Sequence, residues 1–187
     1  VFDMSQCVLK GRHNFFNAVC AIHAAKAVGC SDEAIREGLN TFVNAPHRLE
    51  FVAEINGVEY VNDSKATNVD SVFYALQAME KPVVWIAGGT DKGNDYRQIE
   101  DLVRQKVKAL ICLGVDNSKL QKAFSPILKI IEETGSAREA VERASVYAEG
   151  GDVVLLSPAC ASFDLFKNYE DRGEQFKAAV LGLKTTV

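Results

Sequence analysis

Seven consecutive polar-rich residues, "NDSKATN" (62–68), bring two charges, two hydroxyls and two amides to one junction. They follow a β-like run and precede an amphipathic helical pattern. A carboxylate such as Asp63 accepts hydrogen bonds from hydroxyls, and a lysine such as Lys65 supplies a point charge for an anion. Two further clusters share this placement: "GGTDKGND" (88–95) follows the apolar run "VVWIA", and "SPACAS" (157–162) follows "VVLL". In open parallel sheets, ligands bind beyond the carboxyl ends of the strands. Three such ends on one edge would make a pocket with Lys65 and Lys92 as cations and the hydroxyls of Ser64, Thr67, Thr90, Ser157 and Ser162 around them. That set suits a carboxylate or a phosphate.

Each feature also has a plainer reading. Gly88-Gly89 fits a tight turn, Lys92 a solvated loop lysine, and Asp63 and Ser64 caps for the following helix. His13 and His23 have no second His or carboxylate at ligand spacing, so a metal site is not indicated. Ser157 lacks the G-x-S-x-G elbow, which argues against hydrolase chemistry. Five scattered cysteines (Cys7, Cys20, Cys30, Cys112, Cys160), with no C-x-x-C pair, read as reduced thiols. From patterns alone the reading is an anion-binding α/β domain of unknown reaction.

The elements that must carry these clusters follow from periodicity. In "HNFFNAVCAIHAAKAV" (13–28), Phe16, Cys20, Ala24 and Ala27 recur on one helical face. Gly29 suits the left-handed position ending that helix, and Ser31 caps a second helix expected to bury Ile35, Leu39 and Phe42 and to run to about Asn44. Pro46 in "NAPHR" breaks it, placing a domain boundary between 1–44 and 45–187. Beyond it, "FVAEI" and "VEYV" flank Asn56-Gly57, a hairpin signal, because both central residues of a type I′ turn need positive φ. The runs "VVWIA" (83–87), "ALICL" (109–113), "ILKII" (127–131) and "VVLL" (153–156) are apolar on both sides and alternate with helical patterns. They predict a doubly wound, Rossmann-like, mostly parallel α/β sheet with an N-terminal antiparallel hairpin. Ser136 and Glu139 open one helix as a capping box.

Composition limits the partners. The 187 residues are 48% hydrophobic with a net charge of −4, as for a soluble globular chain with a sizeable core. Neither nucleic acid nor an anionic membrane is an expected partner, and no apolar run approaches the roughly 20 residues of a membrane span. The start, "VFDMSQCVLKG", is neither a signal peptide nor an initiating methionine, so a longer parent chain is expected.

Together, "GRHNFFNAVCA", "APHRLEFV", "VNDSKATNVDS", "GGTDKGND" and "LLSPACASFDLFKNYEDRGEQF" resemble the C-terminal half of the Mur ligase family, in particular its D-glutamate-adding member. The resemblance runs over nearly the whole chain in the family's order. It implies an ATP-dependent, Mg2+-assisted amide ligase of peptidoglycan assembly, a monomer of the bacterial cytoplasm. Such an enzyme phosphorylates the carboxylate of UDP-N-acetylmuramoyl-L-alanine and then lets the amine of D-glutamate attack the acyl phosphate. The family carries a P-loop, G-x-x-x-x-G-K-[ST], in its central domain, and this chain has none. Residues 1–44 would then be the last helices of that central domain, which would hold most of the magnesium ligands, and 45–187 the C-terminal domain; alone, the chain should be inactive.

In family terms Asp63 would hold the ATP ribose, Lys65 and Arg48 would face the phosphates, and Asn14 and Asn17 the adenine side. Thr67, Lys92, Ser162 and Phe163 would hold D-glutamate, with the ring of Tyr169 packed on it. His47 adjoins Arg48 without an assigned role. Related proteins commonly have Phe where this chain has Tyr169, so the added hydroxyl needs a partner. Arg48 and Asp63 lie in polar segments, where truncation should cost about 0.5 kcal/mol or less. Another Mur-type or folylpolyglutamate-type ligase, or a noncatalytic anion-binding module, are the alternatives.

Overall fold

The computed structural model describes residue 2 and residues 12–183, so Cys7 lies outside the described residues. Residue contacts divide the chain into two units, Val1–Ala45 and Pro46–Val187.

In the first unit, α1 (Arg12–Ala27) precedes α2 (Asp32–Asn40). Gly29 takes φ 85° between them, and the Ser31 hydroxyl accepts the Ala34 amide at 3.2 Å, as the sequence indicates. The expected apolar face of α1 is not buried: Phe16, Cys20, Ala24 and Ala27 are all exposed, while Ala18 is enclosed. Two short helices can shield only one stripe of each other, so periodicity alone does not bury a face. Of the α2 set, Ile35 is buried, Leu39 is half-buried and Phe42 is exposed. The helix also stops sooner than expected. At Thr41 the backbone N–H and the hydroxyl both turn back to the Glu37 carbonyl.

The second unit is built on one six-stranded sheet in the order β1-β2-β6-β3-β4-β5. β1 (Glu50–Ile55) and β2 (Val58–Asn62) form the antiparallel hairpin, with Asn56 and Gly57 at φ 54° and 77°. β3 (Val83–Gly88), β4 (Val107–Leu113), β5 (Ile131–Thr134) and β6 (Val153–Ala159) run parallel to β2. One face is covered by α3 (Val69–Ala78), a 3-10 turn (Tyr96–Ile99), α4 (Glu100–Lys106) and α5 (Ser118–Phe124). The other is covered by α6 (Ala137–Tyr147) and α7 (Tyr169–Leu183). Alternate residues serve alternate faces: Val83 and Trp85 enter one core, Val84 and Ile86 the other. This is why the central strands read as unbroken apolar runs.

The fifth strand departs from expectation. "ILKII" is not a strand through 127–131, because pairing with β4 starts at Ile131 and continues through Glu132 and Glu133. Pro126 lacks a donor, and the Ile127 and Leu128 amides return to the Phe124 carbonyl at the end of α5. At the sheet's rim a strand need not be apolar on both sides, so apolarity misplaces it. The Ser136 cap accepts the Glu139 amide at 3.2 Å, but the Glu139 carboxylate reaches the Gly135 amide instead of the Ser136 amide.

β6 lies between β2 and β3, so the three polar clusters occupy neighbouring strand ends. The loops touch: Thr90 and Ala161 exchange backbone hydrogen bonds of 2.8 and 3.2 Å. This approach needs glycine. Gly89 has φ 123°, and a Cβ there would collide with the Ala161 carbonyl oxygen. Gly89→Ala should lower unfolding stability by more than about 2 kcal/mol in urea titrations. Gly135→Ala, where a Cβ meets nothing within 4 Å, should cost far less.

Candidate functional site

The loop edge of the second unit is organised by a residue that sequence reading passed over. Arg172, in the first turns of α7, is fully enclosed. Its Nε donates to the Ser64 hydroxyl at 3.0 Å and its Nη2 to the Ser64 carbonyl at 2.9 Å. Nη1 reaches the Cys160 carbonyl at 3.2 Å and the Gly88 carbonyl at 3.4 Å. One guanidinium therefore ties together the loops after β2, β3 and β6. Burial pulls its pKa down to about 10, well above neutrality, so the charge persists. A sequence signal existed: Arg172, Phe176 and Val180 recur every four residues, and all three are buried. Arg172 thus sits on the core stripe of its helix.

Asp63 is also interior, at 7% exposure, and this corrects two expectations. It does not cap the following helix; Asn68 does, its side-chain oxygen accepting the Ser71 amide at 2.8 Å. Nor is Asp63 a surface carboxylate whose loss would be cheap. Its Oδ2 accepts the Ser157 hydroxyl at 2.9 Å, and its Oδ1 accepts the Leu49 amide at 3.2 Å. Burial raises its pKa to about 7, opposed by these two bonds and by the Arg48 guanidinium. Arg48 itself is exposed, beside a tightly held His47. The His47 ring is buried against Gly173, where any Cβ would strike it. The Asn62 side-chain amide lies 2.9 Å from its Nδ1, and its Nε2 faces Glu174 at 3.6 Å. His47 adopts φ 63°, and its carbonyl accepts the Lys65 amide, so the segment before β1 is fastened to the "NDSKATN" turn.

Lys65 is half-buried, and its ammonium donates to the Tyr169 hydroxyl at 2.7 Å. The hydroxyl that distinguishes Tyr169 from Phe thus has its partner. Ser64 and Ser162 are buried; Thr67 is half-buried, and Phe163 is exposed at 70%. Lys92 is exposed and makes no hydrogen bond or ion pair among the described residues. Its neighbour Asp91 shapes that loop, accepting the Gly93 and Asn94 amides and the Lys119 ammonium. Asn14 and Asn17 belong to the first unit, on successive turns of α1, with the Asn17 amide 3.5 Å from the Asn14 side-chain oxygen.

The second unit therefore brings together Arg48, Asp63, Lys65, Thr67, Lys92, Ser162, Phe163 and Tyr169 along one sheet edge. Such an edge presents two lysines and an arginine as cations and hydroxyls as donors, the groups that an anion requires. No three His, Cys, Asp or Glu side chains gather into a cation cage among the described residues. No helix among these residues is long and apolar enough to cross a membrane.

Two stability measurements check the site. Arg172→Ala leaves three carbonyls without a donor and should cost about 3–5 kcal/mol in urea unfolding; Arg172→Lys should recover less than half, because an ammonium cannot span the three loops. For Asp63 the folded pKa lies above the unfolded one, so the folded chain binds the extra proton and stability falls as pH rises from about 4 to about 7. In Asp63→Asn that decline should be absent, making the variant's relative stability grow across the window by at most about 4 kcal/mol.

The segment 47–160 matches the model of the Mur ligase glutamate ligase domain. The chain is 56% identical over 183 residues to UDP-N-acetylmuramoylalanine–D-glutamate ligase of Porphyromonas gingivalis, covering 98% of this chain and 41% of that protein. It is 55% identical over 175 residues to the Cytophaga hutchinsonii protein of the same name, covering 94% and 39%. The chain thus spans about two fifths of the length of the curated relatives it matches. Among solved structures it superposes on UDP-N-acetylmuramate-alanine ligase of Thermotoga maritima with a TM-score of 0.70 at 16% identity, over 97% of this chain and 40% of that one. Folylpolyglutamate synthase of the same organism gives 0.63 at 21%, over 94% and 40%. At such identities these two show the shared fold alone. With more than half of its residues inside the matched domain, and with its loop edge fixed as described, this chain belongs to the Mur ligase family.

Proposed function

We propose that this chain is the D-glutamate-accepting portion of an ATP-dependent ligase that joins D-glutamate to UDP-N-acetylmuramoyl-L-alanine in peptidoglycan synthesis. The observation that carries the reading is the 56% identity, over nearly the entire chain, to a protein named for that ligation. The first unit is then the end of a central, nucleotide-binding domain, and the second a C-terminal domain. The whole enzyme would act as a monomer in the bacterial cytoplasm.

The chemistry activates a carboxylate as an acyl phosphate. The amine of D-glutamate attacks the acyl carbon, phosphate leaves, and an amide forms. The role of this chain is to hold ligands. D-Glutamate carries two carboxylates that must be neutralised while the amine stays free. Lys92, exposed on the loop after β3, supplies one charge, and Thr67 and Ser162 supply hydroxyl donors. Phe163 and the ring of Tyr169 offer apolar walls. Arg48 and Lys65 are assigned to the phosphates, Asp63 to the ribose, and Asn14 and Asn17 to the adenine. Asp63 keeps one lone pair on each oxygen beyond its two bonds, enough to accept a ribose hydroxyl. Magnesium is assigned no ligand on this chain.

The reading is tested by titrating this chain with D-glutamate and L-glutamate and following backbone amide signals. D-Glutamate should shift resonances in 63–68, 88–95 and 157–169, and L-glutamate should do so more weakly. Equal responses to both would refute it. In the whole ligase, Lys92→Ala should raise the KM for D-glutamate by about ten- to a hundredfold, since a charge-assisted bond is worth roughly 1.5–3 kcal/mol. The KM for ATP should barely move, and Lys92→Arg should restore D-glutamate binding only in part.

A further inference from the structure

Lys65 has a different setting from every other cation at the loop edge. Its ammonium lies 2.7 Å from the Tyr169 hydroxyl and 4.3 Å from the centre of the same ring. It makes no ion pair among the described residues. Tyr169 is itself immobilised from three sides. Its carbonyl accepts the Ser64 hydroxyl at 2.8 Å, its ring meets His47 edge-on at 6.0 Å between centroids, and Asn168 caps the helix it begins by accepting the Asp171 amide at 2.7 Å. A lysine on a flexible four-carbon stem would otherwise sample many rotamers and lose that freedom when a ligand ordered it.

We propose that the Tyr169 hydroxyl is a positioning group for Lys65, holding the ammonium before any ligand arrives so that its other two N–H donors face an incoming anion. The proposal rests on the ligase reading for the identity of that anion, a phosphate or carboxylate, but not for the contact itself. The hydroxyl uses a lone pair on Lys65, so its own proton is free to go elsewhere. Neutral oxygen as the partner matters. A carboxylate bonded directly to Lys65 would cancel the charge that an anionic ligand needs, whereas a phenol orients the ammonium and leaves the charge intact.

The contact and its use can be measured separately. In competitive acylation of this chain, followed by mass spectrometry, the Lys65 amine should be labelled slowly against the exposed Lys92 and Lys122. Tyr169→Phe keeps the ring and removes only the hydroxyl. It should accelerate Lys65 labelling about three- to tenfold, because loss of the bond frees the amine from its partner and loosens the side chain, and the two reference lysines should stay unchanged. Lys65 labelling unchanged in Tyr169→Phe would overturn the proposal. Inorganic pyrophosphate and D-glutamate then serve as probes. Protection of Lys65 by either should need several-fold more ligand in Tyr169→Phe than in the natural chain. Where a probe does protect Lys65, equal protection curves in the two proteins would also overturn it. Acceleration without protection by either probe upholds the positioning and counts instead against the anion-binding reading.

Discussion

The loop edge of this sheet depends on the buried guanidinium of Arg172. Three polypeptide loops leave neighbouring parallel strands there, and their carbonyls point outward with no strand left to satisfy them. A guanidinium is planar, weakly hydrated and carries five donors in a fixed fork, so it can serve several such acceptors at once. Removing a charge from water is costly, and a carbonyl repays less than a carboxylate does. Here the cost is offset by four oxygen acceptors converging from Ser64, Gly88 and Cys160, three of them main-chain carbonyls at the ends of strands or in loops. The consequence is geometric: the three loops can shift only together.

The functional side chains inherit their positions from that knot. Ser64, bonded to Arg172, also donates to the Tyr169 carbonyl, and Tyr169 in turn holds Lys65. Ser157 reaches Asp63, and Asp63 reaches the Leu49 amide beside Arg48. Thr90 bridges to Ala161, which brings the loop bearing Lys92 against the loop bearing Ser162. The outer cations remain exposed, while the groups that orient them are interior. This separation suits binding of an anionic ligand: the interior groups fix geometry in a low-dielectric setting, and the outer lysine and arginine stay hydrated until a ligand displaces water.

A good part of the architecture was legible in the chain. The Asn56-Gly57 turn, the runs at 83–87, 109–113 and 153–156, and the cap at Ser31 all appear where local chemistry places them, because turn φ values, two-sided apolarity and capping act over a few residues. The polar clusters were legible for the same reason, each being a contiguous run after a strand. Where local rules compete, the reading slipped. "ILKII" is apolar enough for a strand, yet Pro126 and the end of α5 claim its first residues, and the actual strand takes two glutamates at the rim. Phe16 and Cys20 obey helical periodicity and remain exposed, since periodicity states which residues share a face and not whether anything covers it.

The sequence by itself determined which residue types could meet an anion and that they follow parallel strands. Tertiary structure decided which of them act together and in what state. Ser157 lies 94 positions from Asp63, and Tyr169 and Arg172 lie 105 and 108 from Ser64. No local pattern encodes such pairs. They arise because β6, last in the chain, inserts between β2 and β3. The same insertion encloses Asp63 and raises its pKa to about 7, turning an apparent surface carboxylate into an interior one. Charge and spacing are properties of the chain, whereas burial and partnership depend on long-range packing, and it is burial and partnership that set how each group titrates and where it points.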